Sequence, residues 1–72
     1  MALEQIAIPA STNIAAVSYD PDELTLLVTF NNGSVYRYLQ VDGGTARGFS
    51  QAPSAGKYFQ AFVKNMFDVE QV

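Results

Sequence analysis

The sequence predicts an α+β fold: an antiparallel β-meander of three strands plus a short N-terminal strand, packed by a C-terminal helix, with a weak short helix before it. Three observations predict it. Two apolar runs, Leu24 to Phe30 and Val35 to Leu39, flank Asn31-Asn32-Gly33, a strong hairpin signal. The hydrophobic period changes from two to 3.6 after Leu39. A capping residue, Ser54, stands before an apolar stripe at helical spacing.

In the first strand of the hairpin, Leu24, Leu26, Val28 and Phe30 alternate with Thr25, Leu27 and Thr29; in the second, Val35, Arg37 and Leu39 alternate with Tyr36 and Tyr38. A two-residue turn on Asn32-Gly33 pairs Val28 with Arg37 and puts both tyrosines on the opposite face from Phe30. A three-residue loop with Gly33 left-handed pairs Val28 with Tyr36 and Leu26 with Tyr38. The second register is preferred, because it gathers three aliphatics, Phe30 and two tyrosines on one face and leaves Arg37 to water.

The other elements follow in chain order. Ile6 and Ile8, closed by Pro9, suit a short edge strand within residues 1 to 10, since proline cannot donate to a ladder. Ser11-Thr12-Asn13 reads as a turn, and Ile14 to Tyr19 as a strand with Val17 and Tyr19 on one face and Ile14 and Ala16 on the other. Asp20-Pro21-Asp22-Glu23 turns the chain, with Asp20 placed to accept backbone hydrogen bonds. The meander thus spans 14–20, 24–30 and 34–40. Asp42 can cap a helix, but Gly43, Gly44 and Gly48 each cost about 1 kcal/mol in a helix interior, so one or two turns over 43–51, held by Phe49, are expected. The main helix is expected over 54–66, with Phe59, Phe62, Val63 and Met66 inward, Tyr58 on the flank, and Lys57, Gln60, Lys64 and Asn65 outward. Residues 68–72 read as a tail to which Phe67 and Val69 can add packing.

Composition narrows the function. Seventy-two residues make one domain, 1–72, and a chain this short buries only about 60% of the surface it exposes when unfolded. There is no cysteine and no histidine, so the commonest nucleophilic, general-base and metal-ligating side chains are missing. The acids fall at turns and termini, so no enzyme activity, cofactor or metal site is expected. A net charge of −3, from seven acids against Arg37, Arg47, Lys57 and Lys64, argues against avid sequence-independent binding of duplex nucleic acid. No apolar run reaches a membrane span and the N-terminus Met-Ala-Leu-Glu-Gln carries no basic leader, so a soluble, cytoplasmic protein is expected, in its own cell or in a host cell.

The order Ser-Thr-Asn-Ile-Ala-Ala-Val-Ser-Tyr-Asp at 11–20, then L-x-V-x-F-x-N-G-x-V-Y-x-Y at 26–38, then A-x-S-x-G-x-Y-F at 52–59 resembles the KTSC domain. That family occurs as small stand-alone proteins of bacteria and phages and is appended to some lysyl-tRNA synthetases. Its hallmark Y-x-Y pair falls on Tyr36 and Tyr38, and its second motif on Ser54, Gly56, Tyr58 and Phe59. The resemblance implies a compact α+β fold, no established activity and, by analogy with the synthetases, a hint of nucleic-acid contact. Two departures weigh against polyanion binding: Val41-Asp42-Gly43-Gly44 where the family usually has Val-Pro, and Asp68 and Glu70 where it often has basic residues.

Four constellations remain. Ser54-Ala55-Gly56-Lys57 at a helix start offers an anion site that Arg37 and Arg47 complete if the fold brings them near; the alternative is a structural cap and a close packing contact. Tyr36 and Tyr38 offer a stacking platform for bases, or core packing with hydroxyls at the rim. Asp20, Asp22 and Glu23 read as a solvated turn, lacking the ligand array of a calcium loop. Leu27, with Ile14 and Ile6, would form an apolar patch on the face away from the helix. Two functions follow: a non-catalytic adaptor or inhibitor acting on a host or cellular protein, which the sequence favours, and a binder of nucleic acid or a small nucleotide through Ser54 to Lys57, Arg37 and the tyrosines.

Overall fold

A computed structural model describes residues 3–72; Met1 and Ala2, the start of the expected N-terminal segment, lie outside them. Five strands form one antiparallel sheet in sequence order: β1 (Glu4–Ile6), β2 (Ile14–Asp20), β3 (Thr25–Phe30), β4 (Val35–Tyr38) and β5 (Val69–Gln71). Between β4 and β5 run α1 (Gly43–Arg47), a 3₁₀ turn (Gly48–Gln51) and α2 (Ala55–Phe62). These helical pieces pack on one sheet face.

The register of the central hairpin is the preferred one. Val28 pairs with Tyr36 and Leu26 with Tyr38. Phe30 N–H donates to Ser34 O and Gly33 N–H to Phe30 O, closing a three-residue loop in which Gly33 has φ +93°. Glycine takes that conformation without a Cβ penalty. The inner face therefore carries Leu26, Val28, Phe30, Tyr36 and Tyr38, and meets Phe49, Ala55, Phe59 and Val63 from the helical layer.

Both helix starts are capped as their residues predict. The Asp42 carboxylate accepts from Thr45 N–H and Oγ1–H, which holds its pKa below the usual carboxylate value, and Ser54 Oγ accepts from Lys57 N–H. Asp20 turns the chain between β2 and β3, accepting from the N–H groups of Asp22 and Glu23. Arg47 closes the opposite end, donating Nε and Nη2 to Glu4 at 2.9 Å each while its guanidinium lies 5.8 Å from the Tyr19 ring centre. This pair ties α1 to the edge strand β1.

Five features depart from the sequence reading. Ile14 is buried beside Val17 and Tyr19, because the register shifts between Ile14 and Ala16 and this bulge turns Ile14 inward. The apolar patch expected from Leu27, Ile14 and Ile6 therefore does not form, since Ile6 and Ile14 belong to the core. Leu24 is not in the strand but a turn residue with φ +55°, 44% exposed. The main helix stops at Phe62: Val63 leaves helical geometry, Asn65 turns left-handed at φ +65°, and Phe62 and Met66 face solvent. That early stop lets the chain return, so the expected tail is the strand β5, paired with β4 through Tyr36–Gln71, Arg37–Glu70 and Tyr38–Val69.

Gly48 is where the helical layer has no spare room. A Cβ there would collide with the Tyr58 hydroxyl and lie 2.7 Å from its Cζ. Tyr58 cannot yield freely, because its hydroxyl donates to Thr45 O at 2.7 Å and its ring packs 4.7 Å from Phe49. Gly48→Ala is expected to destabilise the fold by about 1–3 kcal/mol, despite alanine's better helix propensity. A melting curve unchanged or raised in that variant would contradict the packing.

Candidate functional site

A groove of about 730 Å³ opens between α2 and the end of the sheet that carries the Asn31–Gly33 loop. Its floor is aromatic: Phe30, Tyr36, Tyr38 and Phe59. Phe30 packs edge-on against Tyr36 at 5.6 Å and Phe59 at 5.4 Å, and Tyr38 against Phe59 at 5.7 Å, geometry that favours each pair and fixes the rings. Its exposed rim is amide-rich, with Asn13, Asn31, Asn32 and Gln60, and among the described residues carries one cation, Lys64. No carboxylate among the described residues lines it.

Local structure holds the rim in place. Ser11 Oγ accepts from the N–H groups of Asn13 and Ile14, Asn31 Nδ2 donates to Ser11 O, and Asn32 Oδ1 accepts from Ser34 N–H. On the helix side, Lys64 N–H donates to Phe59 O where α2 ends, which brings Lys64 back to the groove.

The four tyrosines divide by what their hydroxyls do. Tyr19 donates to Val41 O at 2.6 Å and Tyr58 to Thr45 O at 2.7 Å, so both are internal struts. The hydroxyls of Tyr36 and Tyr38 make no hydrogen bond among the described residues. Tyr38 is only 6% exposed, yet no polar side-chain atom among the described residues is buried without a partner, so its hydroxyl must reach solvent, and Tyr38 lines the groove. A ring locked in the core with its hydroxyl spare is a preorganised polar contact. Burial is the first cause raising the phenol pKa of Tyr19, Tyr38 and Tyr58, with neighbouring Tyr36 adding to it at Tyr38.

The residues singled out from the sequence do not converge. Tyr36, Tyr38 and Gly56 line the groove. Ser54 and Lys57 lie at a second, more apolar depression of about 450 Å³ beside Pro53, Tyr58 and Phe62. Arg37 is on the other sheet face, paired at 2.9 Å with Glu70. Arg47 is bound to Glu4, whose pKa its hydrogen bonds lower. Arg37 and Arg47 therefore do not complete an anion site at Ser54 to Lys57. Sequence periodicity missed Gln60 and Lys64, which it placed on the outward side of a longer helix, and Asn13, read only as a turn residue. Asn13 does sit within the motif at 11–20, which was the one available signal.

Removing a hydroxyl tests this division. Tyr19→Phe leaves the Val41 carbonyl unpaired in the core and is expected to cost about 1–2 kcal/mol. Tyr38→Phe removes no protein hydrogen bond and should change stability by less than about 0.5 kcal/mol. Denaturant titrations of the two variants measure this directly, and equal losses would mean the Tyr38 hydroxyl has an internal partner. Folding holds the phenol protons to higher pH than the unfolded chain does, so stability falls as pH rises past about 10, and Tyr19→Phe should flatten that decline.

Comparison with known proteins places the chain. Residues 10–67 match the KTSC domain. A lysine–tRNA ligase of a Nostoc species is 38% identical over 64 residues, covering 89% of this chain and 11% of that protein; the lysine–tRNA ligase of Nostoc punctiforme is 36% identical over the same length. The chain thus spans about a ninth of the length of those relatives. An uncharacterised protein of Stutzerimonas stutzeri is 32% identical over 54 residues, 75% of this chain and 76% of that one. The crystal structure of a KTSC domain protein from Yersinia pestis superposes with a TM-score of 0.86 at 29% identity, over 99% of both chains. The chain belongs to the KTSC domain family.

Proposed function

We propose that this chain is a non-catalytic binding module whose working surface is the Tyr36–Tyr38 groove and whose ligand is single-stranded nucleic acid or a nucleotide. The observation that carries this is the lining itself, which among the described residues has two unpartnered phenol hydroxyls over an aromatic floor, an amide rim that can both donate and accept, one lysine and no carboxylate. Such a set suits a planar, polar, anionic ligand, with bases against aromatic side chains and amides reading their edges. The names of the Nostoc relatives, lysine–tRNA ligases, support an RNA ligand. Duplex binding is disfavoured, because Arg37 and Arg47 are held by Glu70 and Glu4 and few cations are left to track two backbones.

The second reading is the adaptor or inhibitor of a host or cellular protein. The uncovered sheet face supports it, where Leu3, Leu27 and Leu39 lie together between Asp20, Glu23 and Glu70.

Fluorescence anisotropy with short unpaired and duplex RNA oligomers of matched length separates the two. Unpaired RNA is expected to bind and duplex RNA to bind at least tenfold more weakly. Tyr36→Ala, with its fold checked by circular dichroism, should lower affinity by about tenfold or more. No binding of either oligomer, with a protein partner retained at high salt through the outer face, would favour the second reading.

A further inference from the structure

The lining also limits how much of a nucleic acid the groove can hold. Resting on the nucleic-acid reading above, we infer that the groove takes one unpaired nucleotide unit bearing a single phosphate, with Lys64 at the phosphate and the Tyr38 hydroxyl at a polar edge of the base or sugar. Charge sets the first limit. Of the four basic residues, Arg37 and Arg47 are paired with carboxylates at 2.9 Å and Lys57 lies at the other depression, so among the described residues Lys64 alone brings positive charge to the groove. Lys64 makes no ion pair among the described residues, and one ammonium offsets one phosphate charge. A triphosphate or a tracked backbone needs several.

Size and polarity set the second limit. A volume of about 730 Å³ is in the range that encloses one small organic ligand. Tyr38 is more than nine-tenths buried, and Phe59 fixes its ring, so its hydroxyl offers a hydrogen bond at one place without paying conformational entropy. An unpaired base has a free polar edge to meet it. A paired base has spent that edge on its partner.

Nuclear magnetic resonance titration with a nucleoside, its 5′-monophosphate and its 5′-triphosphate, for each of the four common bases, tests this. For at least one base the monophosphate should bind several-fold tighter than the nucleoside, and the triphosphate should gain less than about threefold more. With an unpaired RNA oligomer in place of the mononucleotides, the slope of log affinity against log salt should be about −0.7, the value for one phosphate contact on a single strand. Lys64→Gln should bring nucleoside and monophosphate to equal affinity. Tyr38→Phe should weaken both by about three- to tenfold with an unchanged melting temperature. Triphosphate binding tenfold or more above monophosphate, a slope of −2 or steeper, or full phosphate preference in Lys64→Gln would overturn the inference. If unpaired RNA oligomers bind the groove while no mononucleotide does, the one-nucleotide inference fails and the nucleic-acid reading stands. If neither binds, both fail.

Discussion

The three-residue loop at Asn31-Asn32-Gly33 is the constraint on which the rest depends. With Gly33 at φ +93°, β4 returns along β3 so that Tyr36 faces Val28 and Tyr38 faces Leu26. Side chains alternate faces along a strand, so one residue of slip would exchange Tyr36 and Tyr38 for Val35 and Arg37 on the helix side. A guanidinium would then lie in the core without a partner, at a cost of several kcal/mol. The loop thus decides the core, and through the core it decides the groove. Phe30, Tyr36, Tyr38 and Phe59 form a continuous series of edge-on contacts only in this register.

A second constraint is the shortness of α2. It ends at Phe62, and the left-handed Asn65 turns the chain toward the free edge of β4. There β5 adds a fifth strand, and Leu39 N–H and Val72 N–H find carbonyl partners in Asp68 and Val35. Glu70 then stands opposite Arg37 and pairs with it at 2.9 Å. Glu4 does the same to Arg47 at the other edge. An acidic chain with few bases is left with its free lysines on two separate depressions, and only Lys64 shares one with the Y-x-Y pair.

What the sequence made legible follows from how local each signal is. Asn-Asn-Gly, Asp20, Asp42 and Ser54 act on their own neighbours within four residues, and each does so as its chemistry predicts. Ile14, Phe62, Met66 and residues 69–71 were misread because their state is decided at a distance. A bulge against Phe30 turns Ile14 inward, an irregular helix end exposes Phe62 and Met66, and the β4 edge converts a polar tail into a strand. At the Y-x-Y pair core packing and free hydroxyls coexist: the rings are packed and, among the described residues, the hydroxyls are not bonded within the fold. Its companions Asn13, Gln60 and Lys64 come from two other segments, and periodicity alone does not bring them together.

The central claim is that ligand contact is confined to the groove, and chemical-shift mapping of the labelled protein with a short unpaired RNA tests it most directly. The predicted result is a contiguous set of perturbed resonances on Asn13, Asn32, Tyr36, Tyr38, Gln60 and Lys64, with Arg37, Arg47 and Lys57 unmoved. Perturbations centred on Leu27, Arg37 and Glu70, or on Ser54 and Lys57, with the tyrosine signals unchanged, would contradict it.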